Sequence, residues 1–175
     1  MTPDAAPPPG DQASVAVGLA VPPERAFQLF TAEIDQWWRR GRRFRNAPGS
    51  EAGIVCIEPR VGGRLFESYG SGAGETVVEM GRVLAWEPPQ RFVFEWRAIN
   101  FAPHERTEVE VRFDATSRGT RVTVVHRGWS ALRADHPVRH GLDAAAFVRM
   151  MGLWWGDLMT ALRLLSEGRG PRPPS

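Results

Sequence analysis

The residues able to do chemistry are few and scattered. His126, in the run VVHRGW, keeps the parity of Val122 and Val124, so strand alternation aims its imidazole inward, with Trp129 just beyond. An inward imidazole can hydrogen-bond a ligand or act as a general base. A base alone makes no enzyme, however. Glu67 and Glu95 occupy nearby strands, but alternation turns Glu95 outward and leaves the side of Glu67 open. His126 is therefore the one catalytic candidate, and spacing does not argue an acid/base pair for it. His136 and His140 are four residues apart between Asp135 and Asp143, a spacing that offers two metal ligands on a helix. Pro137 begins that helix and leaves His136 outside it, so neither a metal nor another cofactor is expected. The glycine-rich run Gly70–Gly74 imitates a phosphate loop, yet strand-like residues follow it where a helix N-terminus is needed. Cys56 alternates with Ile54 and reads as buried and inert. No serine, Ser130 included, sits in a nucleophile elbow.

The elements that position these residues follow from hydrophobic period and turn chemistry. Ser14–Val21 alternates as a first strand, and Pro22-Pro23 ends it and opens a helix over Pro23–Thr31. A second short helical segment from Ala32 carries Ile34, Trp37 and Trp38. Strands are expected at Gly53–Glu58, Arg64–Gly70, Glu75–Trp86, Arg91–Asn100, Thr107–Ala115 and Thr120–Arg127, each bounded by Gly, Pro or Ser breaks. Short turns between consecutive strands make an antiparallel meander. Phe92, Phe94 and Trp96 share one face by period two, as do Val109, Val111 and Phe113 on the next strand. From Pro137 or Leu142 to Ser166 the spacing predicts one long helix. Its stripe is Phe147, Met151, Trp154, Leu158, Leu162 and Leu165, and close packing is the reason expected for Gly152 and Gly156. The fold class is α+β.

At 175 residues, 42% apolar and 24% charged, the chain fits one ordinary globular domain over residues 14–167. Pro-rich ends at 1–13 and 168–175 read as disordered tails. No apolar run reaches the roughly 20 residues of a membrane span, and the N-terminus does not read as a secretory signal. All 22 basic residues are arginine, with a net charge of only +2. The dense run Arg39, Arg40, Arg42, Arg43 and Arg45 reads as a solvated loop, and nucleic acid is not expected as a partner. A single cysteine fits a reducing cytoplasm.

Four segments carry a family resemblance: VPPERAFQLFT with QWW at 36–38, EPRVGGRLFE at 58–67, GRVLAWEPPQRFVFEWR at 81–97, and VVHRGW at 124–129. Together they resemble the START-like (SRPBCC, polyketide cyclase and lipid-transfer) superfamily, within it the branch similar to the activator of Hsp90 ATPase. The resemblance implies a helix-grip fold, a curved sheet wrapped around the C-terminal helix, with a mostly apolar cavity between them. It does not carry chaperone stimulation over to this chain. A cytoplasmic binding protein for an apolar or aromatic small molecule is the expected function. Trp37, Trp38, Phe66, Phe94, Trp96, His126, Trp129, Met151 and Trp154 are the candidate lining, with Trp37-Trp38 at the cavity entrance. Two alternatives stay open. One is a cyclase or hydratase using His126 in the same pocket. The other is a protein-interaction module or homodimer using an exposed patch near Trp154-Trp155 or a sheet edge.

Overall fold

A computed structural model describes residues 6–48 and 53–169. The elements run β1 (Ala13–Leu19), α1 (Pro23–Thr31), α2 (Ile34–Trp37), β2 (Ile54–Ile57), β3 (Arg64–Tyr69), β4 (Thr76–Glu87), β5 (Arg91–Trp96), β6 (Thr107–Thr116), β7 (Gly119–Arg127) and α3 (Ala144–Ser166). The seven strands form one antiparallel sheet in the order β1-β7-β6-β5-β4-β3-β2, curled into a half-barrel. The meander from β2 to β7 is continuous, and β1 returns to pair with β7 from Ala13 opposite His126 to Leu19 opposite Thr120. This is the expected α+β helix-grip arrangement.

The curl has a local cause in β4. Between Leu65 and Phe66 its ladder with β3 slips, so that Met80 has no opposite number. The ladder with β5 slips again between Val83 and Ala85, past Leu84. Two extra residues in one strand of 12 bend it sharply. Gly81 lies at the first bulge, where a Cβ would sit 1.7 Å from the Glu95 carbonyl oxygen. No larger residue fits there without moving backbone.

Inside the curl, α1 lays Phe27 and Phe30 on the sheet, with Phe27 5.1 Å from Phe113 and Phe30 5.4 Å from Phe92, ring centre to ring centre. Helix α3 starts at Ala144, capped by Asp143 Oδ1, which accepts from the Ala146 amide at 2.8 Å. Its buried stripe is Phe147, Met151, Trp155, Leu158, Met159 and Leu162. The sequence pattern placed Trp154 in that stripe, but Trp155 takes the position and Trp154 lies half-buried at its edge. Both rings are within one step of the 3.6-residue period, and the facing His126 selects Trp155. The glycines of this helix also differ from expectation. A Cβ at Gly152 or Gly156 would meet nothing within 4 Å, so close packing does not account for them.

Residues 1–5 and 170–175 of the expected tails lie outside the described residues. Asp11, also placed in a tail by composition, is tied down: its carboxylate accepts from the amides of Gly128 and Ser130, at 3.3 and 3.1 Å, and from the Ser130 hydroxyl.

Candidate functional site

The aromatic core is organised around His126, which is fully buried on the inner face of β7. Trp155 Nε1 donates to its Nδ1 at 3.1 Å, and Thr107 Oγ1 lies 2.7 Å from its Nε2. An indole N–H only donates, so Nδ1 holds the lone pair and Nε2 carries the proton. Thr107 in turn donates to the Trp96 carbonyl at 3.4 Å. Burial pushes the imidazole pKa down to about 3. Protonating Nδ1 would also set two donors face to face. His126, a candidate for ligand binding or acid–base work, thus has both ring nitrogens engaged by core partners, Trp155 and Thr107.

Most of the other candidate lining residues are core. Trp37 is buried and donates to the Leu29 carbonyl at 3.0 Å. Phe94 is stacked on Phe92, and Met151 lies in the buried stripe of α3. Trp129 is buried between the His126 ring at 4.4 Å and Phe147 at 4.8 Å, and its Nε1 finds no partner among the described residues. Phe66 lies apart from these core residues. Leu65 and Glu67 take the buried parity of β3, so Phe66 is on the convex side beneath the Arg64 guanidinium, 4.6 Å from its ring centre.

Three candidates do converge. Trp38, Trp96 and Trp154 have ring centres 5.7–5.9 Å apart at the end of the half-barrel where β5 stops. Residues 39–48 fold over them. Trp38 Nε1 donates to the Phe44 carbonyl at 2.9 Å and Trp154 Nε1 to the Arg43 carbonyl at 3.0 Å, while Phe44 stacks on Trp154 at 5.7 Å. These contacts leave a groove of about 140 Å³ bounded by Phe44, Met80, Trp96, Ile99, Trp154 and the arginines of the loop.

The loop is pinned at its base by a residue that composition alone placed in solvent. Arg45 is 7% exposed. It donates to Asp35 Oδ1 at 2.7 Å and to the carbonyls of Asp35, Trp38, Arg39 and Gly53. Beside it the buried Glu67 carboxylate accepts from the Asn46 and Ala47 amides, at 2.6 and 3.1 Å. Parity had left Glu67 open; it is an inward loop anchor. Arg39 and Arg43 reach across to Asp157 on α3, at 3.8 and 3.0 Å. The sequence signal that could have marked this loop is Phe44, an isolated ring among arginines.

His136 and His140 do not come together. His136 Nε2 bonds Glu105 at 2.8 Å and its Nδ1 accepts from the Val138 amide, while His140 lies exposed in a left-handed turn. No cluster of three metal-ligating side chains exists among the described residues. A wider groove of about 480 Å³ lies at the other end of β5, between the start of α1, the β4–β5 turn and the end of β6. Its lining mixes Glu24, Glu87 and Asp114 with Arg91 and Arg112, and it has no aromatic cluster.

Comparison with known proteins agrees with this architecture. A crystal structure of protein MLL2253 from Mesorhizobium loti superposes with a TM-score of 0.60 at 19% identity, covering 90% of this chain and 97% of that one. Protein Ms6760 from Mycobacterium smegmatis gives 0.56 at 19% identity, covering 90% and 91%. The Aha1 dimer from Colwellia psychrerythraea gives 0.59 at 14% identity, covering 90% and 97%. At these identities the likeness is one of fold. No curated protein matches the chain. The sequence profile described as activator of Hsp90 ATPase homolog 1-like protein matches residues 20–150, three quarters of the chain, and the protein belongs to that family.

Proposed function

We propose that this protein binds a small apolar or aromatic molecule in the groove between residues 39–48, the end of β5 and α3. One observation carries the proposal: Phe44, Trp96 and Trp154 converge on a space their own packing leaves unfilled. Flat rings around a concave site are the usual lining for such ligands. A void of about 150 Å³ accepts a benzene-sized guest, so a single ring or short chain matches the 140 Å³ available. Larger guests require residues 39–48 to lift from α3. The mixed-charge groove at the other end of β5 offers no comparable aromatic surface.

The test is tryptophan emission titrated with a panel of single-ring and short-chain compounds. Binding is expected to quench or shift emission saturably, and Trp154→Ala is expected to weaken it about tenfold, the worth of one well-packed ring. A panel without any saturable response refutes the proposal.

A second reading is self-association. Leu153 is 70% exposed on the outer side of α3, and the Colwellia relative was solved as a dimer. Light scattering that gives a monomer at high concentration would remove it.

A further inference from the structure

The charge around the groove indicates what kind of small molecule it takes. Arg42, Arg43, Arg45 and Arg97 line it, and no aspartate or glutamate does. The arginine-rich composition does not account for this. The groove at the other end of β5 balances two arginines with three carboxylates, and the hollow beside Leu84 sets Arg106 and Arg127 against Glu95 and Glu108. Two of the four arginines are already neutralised, Arg43 by Asp157 and Arg45 by Asp35. Among the described residues, neither Arg42 nor Arg97 has a carboxylate within ion-pair distance. Among those residues Arg97 makes one side-chain hydrogen bond, donating to the Ala102 carbonyl at 3.2 Å.

We infer that the groove selects a small organic acid, a single-ring or short-chain carboxylate. Its apolar part lies on Phe44, Trp96 and Trp154, and Arg42 and Arg97 hold its anionic end. This deepens the binding proposal above and rests on it. Guanidinium groups present planar paired donors that match a carboxylate. Trp154, which lines the groove, spends its indole N–H on the Arg43 carbonyl. That ring therefore offers a guest only an apolar face, and arginine supplies the charged polar contact. The size of the groove favours a free small acid over the acyl chain of a lipid.

The experiment pairs phenylacetate with phenylacetamide, which has the same shape and no charge, read by tryptophan quenching at about 50 and 500 mM salt. Phenylacetate is expected to bind about fivefold tighter at low salt, as for a partly exposed ion pair, and to lose most of that advantage at high salt. The double variant Arg42→Gln/Arg97→Gln is expected to erase the preference, so that phenylacetate binds no more tightly than phenylacetamide at either salt concentration. Arg42→Lys/Arg97→Lys keeps the charge, so it is expected to retain a preference. That variant separates loss of charge from damage to the fold.

Equal affinity for acid and amide overturns the inference but leaves the groove as a binding site. A preference that survives Arg42→Gln/Arg97→Gln overturns the assignment to those two side chains. Failure of both compounds to bind overturns the inference, and a response to other panel members would still uphold the groove. A response to phosphatidylglycerol vesicles without one to phenylacetate overturns the small-acid assignment in favour of a lipid surface.

Discussion

Replacing His126 by glutamine gives a stability difference that depends on pH, and the arrangement of the ring fixes its sign. In the folded chain the imidazole titrates at about 3, against 6.5 in an unconstrained chain. Above pH 6.5 neither state binds the proton and the group is neutral in the balance. As pH falls from 6.5 toward 3 the unfolded chain takes up a proton that the folded chain refuses, so stability drops. The penalty is below about 0.1 kcal/mol near pH 7.5 and reaches about 2 kcal/mol near pH 5. His126→Gln cannot titrate and escapes this term. Near pH 7.5 it leaves the buried Trp155 N–H without its Nδ1 acceptor, a cost of about 2 kcal/mol. The variant is therefore expected to be less stable by about 2 kcal/mol at neutral pH and to approach parity near pH 5. Urea denaturation followed by far-ultraviolet circular dichroism across that range measures the gap. Carboxylates held low by arginines, Glu58 and Glu110 at about 2, titrate below this window and are common to both proteins. A gap constant within about 0.5 kcal/mol from pH 7.5 to 5 would refute the buried neutral imidazole.

Arg45→Met is expected to cost about 3–5 kcal/mol in denaturant unfolding, because Asp35 and several carbonyls lose their shared donor in a buried place. Gly152→Ala and Gly156→Ala are each expected to raise stability by about 0.5–1 kcal/mol, since the added methyl meets open space on a helix. Gly81→Ala should go the other way by about 2 kcal/mol or more, the methyl falling on the Glu95 carbonyl. A thermal melt of the three glycine variants in parallel checks both signs.

The fold was legible because period-two alternation and turn residues are local signals, and β5 and β6 display them plainly. Phe92, Phe94, Val109, Val111 and Phe113 are all buried on the face that parity assigned. The site was legible only in part. Trp38, Trp96 and Trp154 were among the residues singled out, but the loop that covers them was not recognised as structure. Arg45 and Glu67 sit there because distant backbone groups need partners, and no spacing rule within a short window encodes such a need. Likewise, parity sent His126 inward but could not say that an indole and a threonine hydroxyl already wait for it. The exchange of Trp154 for Trp155 has the same origin. Adjacent indoles at the edge of a stripe are distinguished by what faces them across the core.

The indoles themselves form a connected group. Trp37, Trp38, Trp96, Trp154 and Trp155 are linked by ring-centre distances of 5.1–6.1 Å. Chromophores this close exchange excitation, so the ground-state protein should show strong near-ultraviolet ellipticity and depolarised fluorescence from energy hopping. An event at one ring, such as a guest beside Trp154 or a lifted loop at Trp38, would then register in the emission of the whole set. The protein thereby contains its own optical gauge of whether that end of the half-barrel is closed.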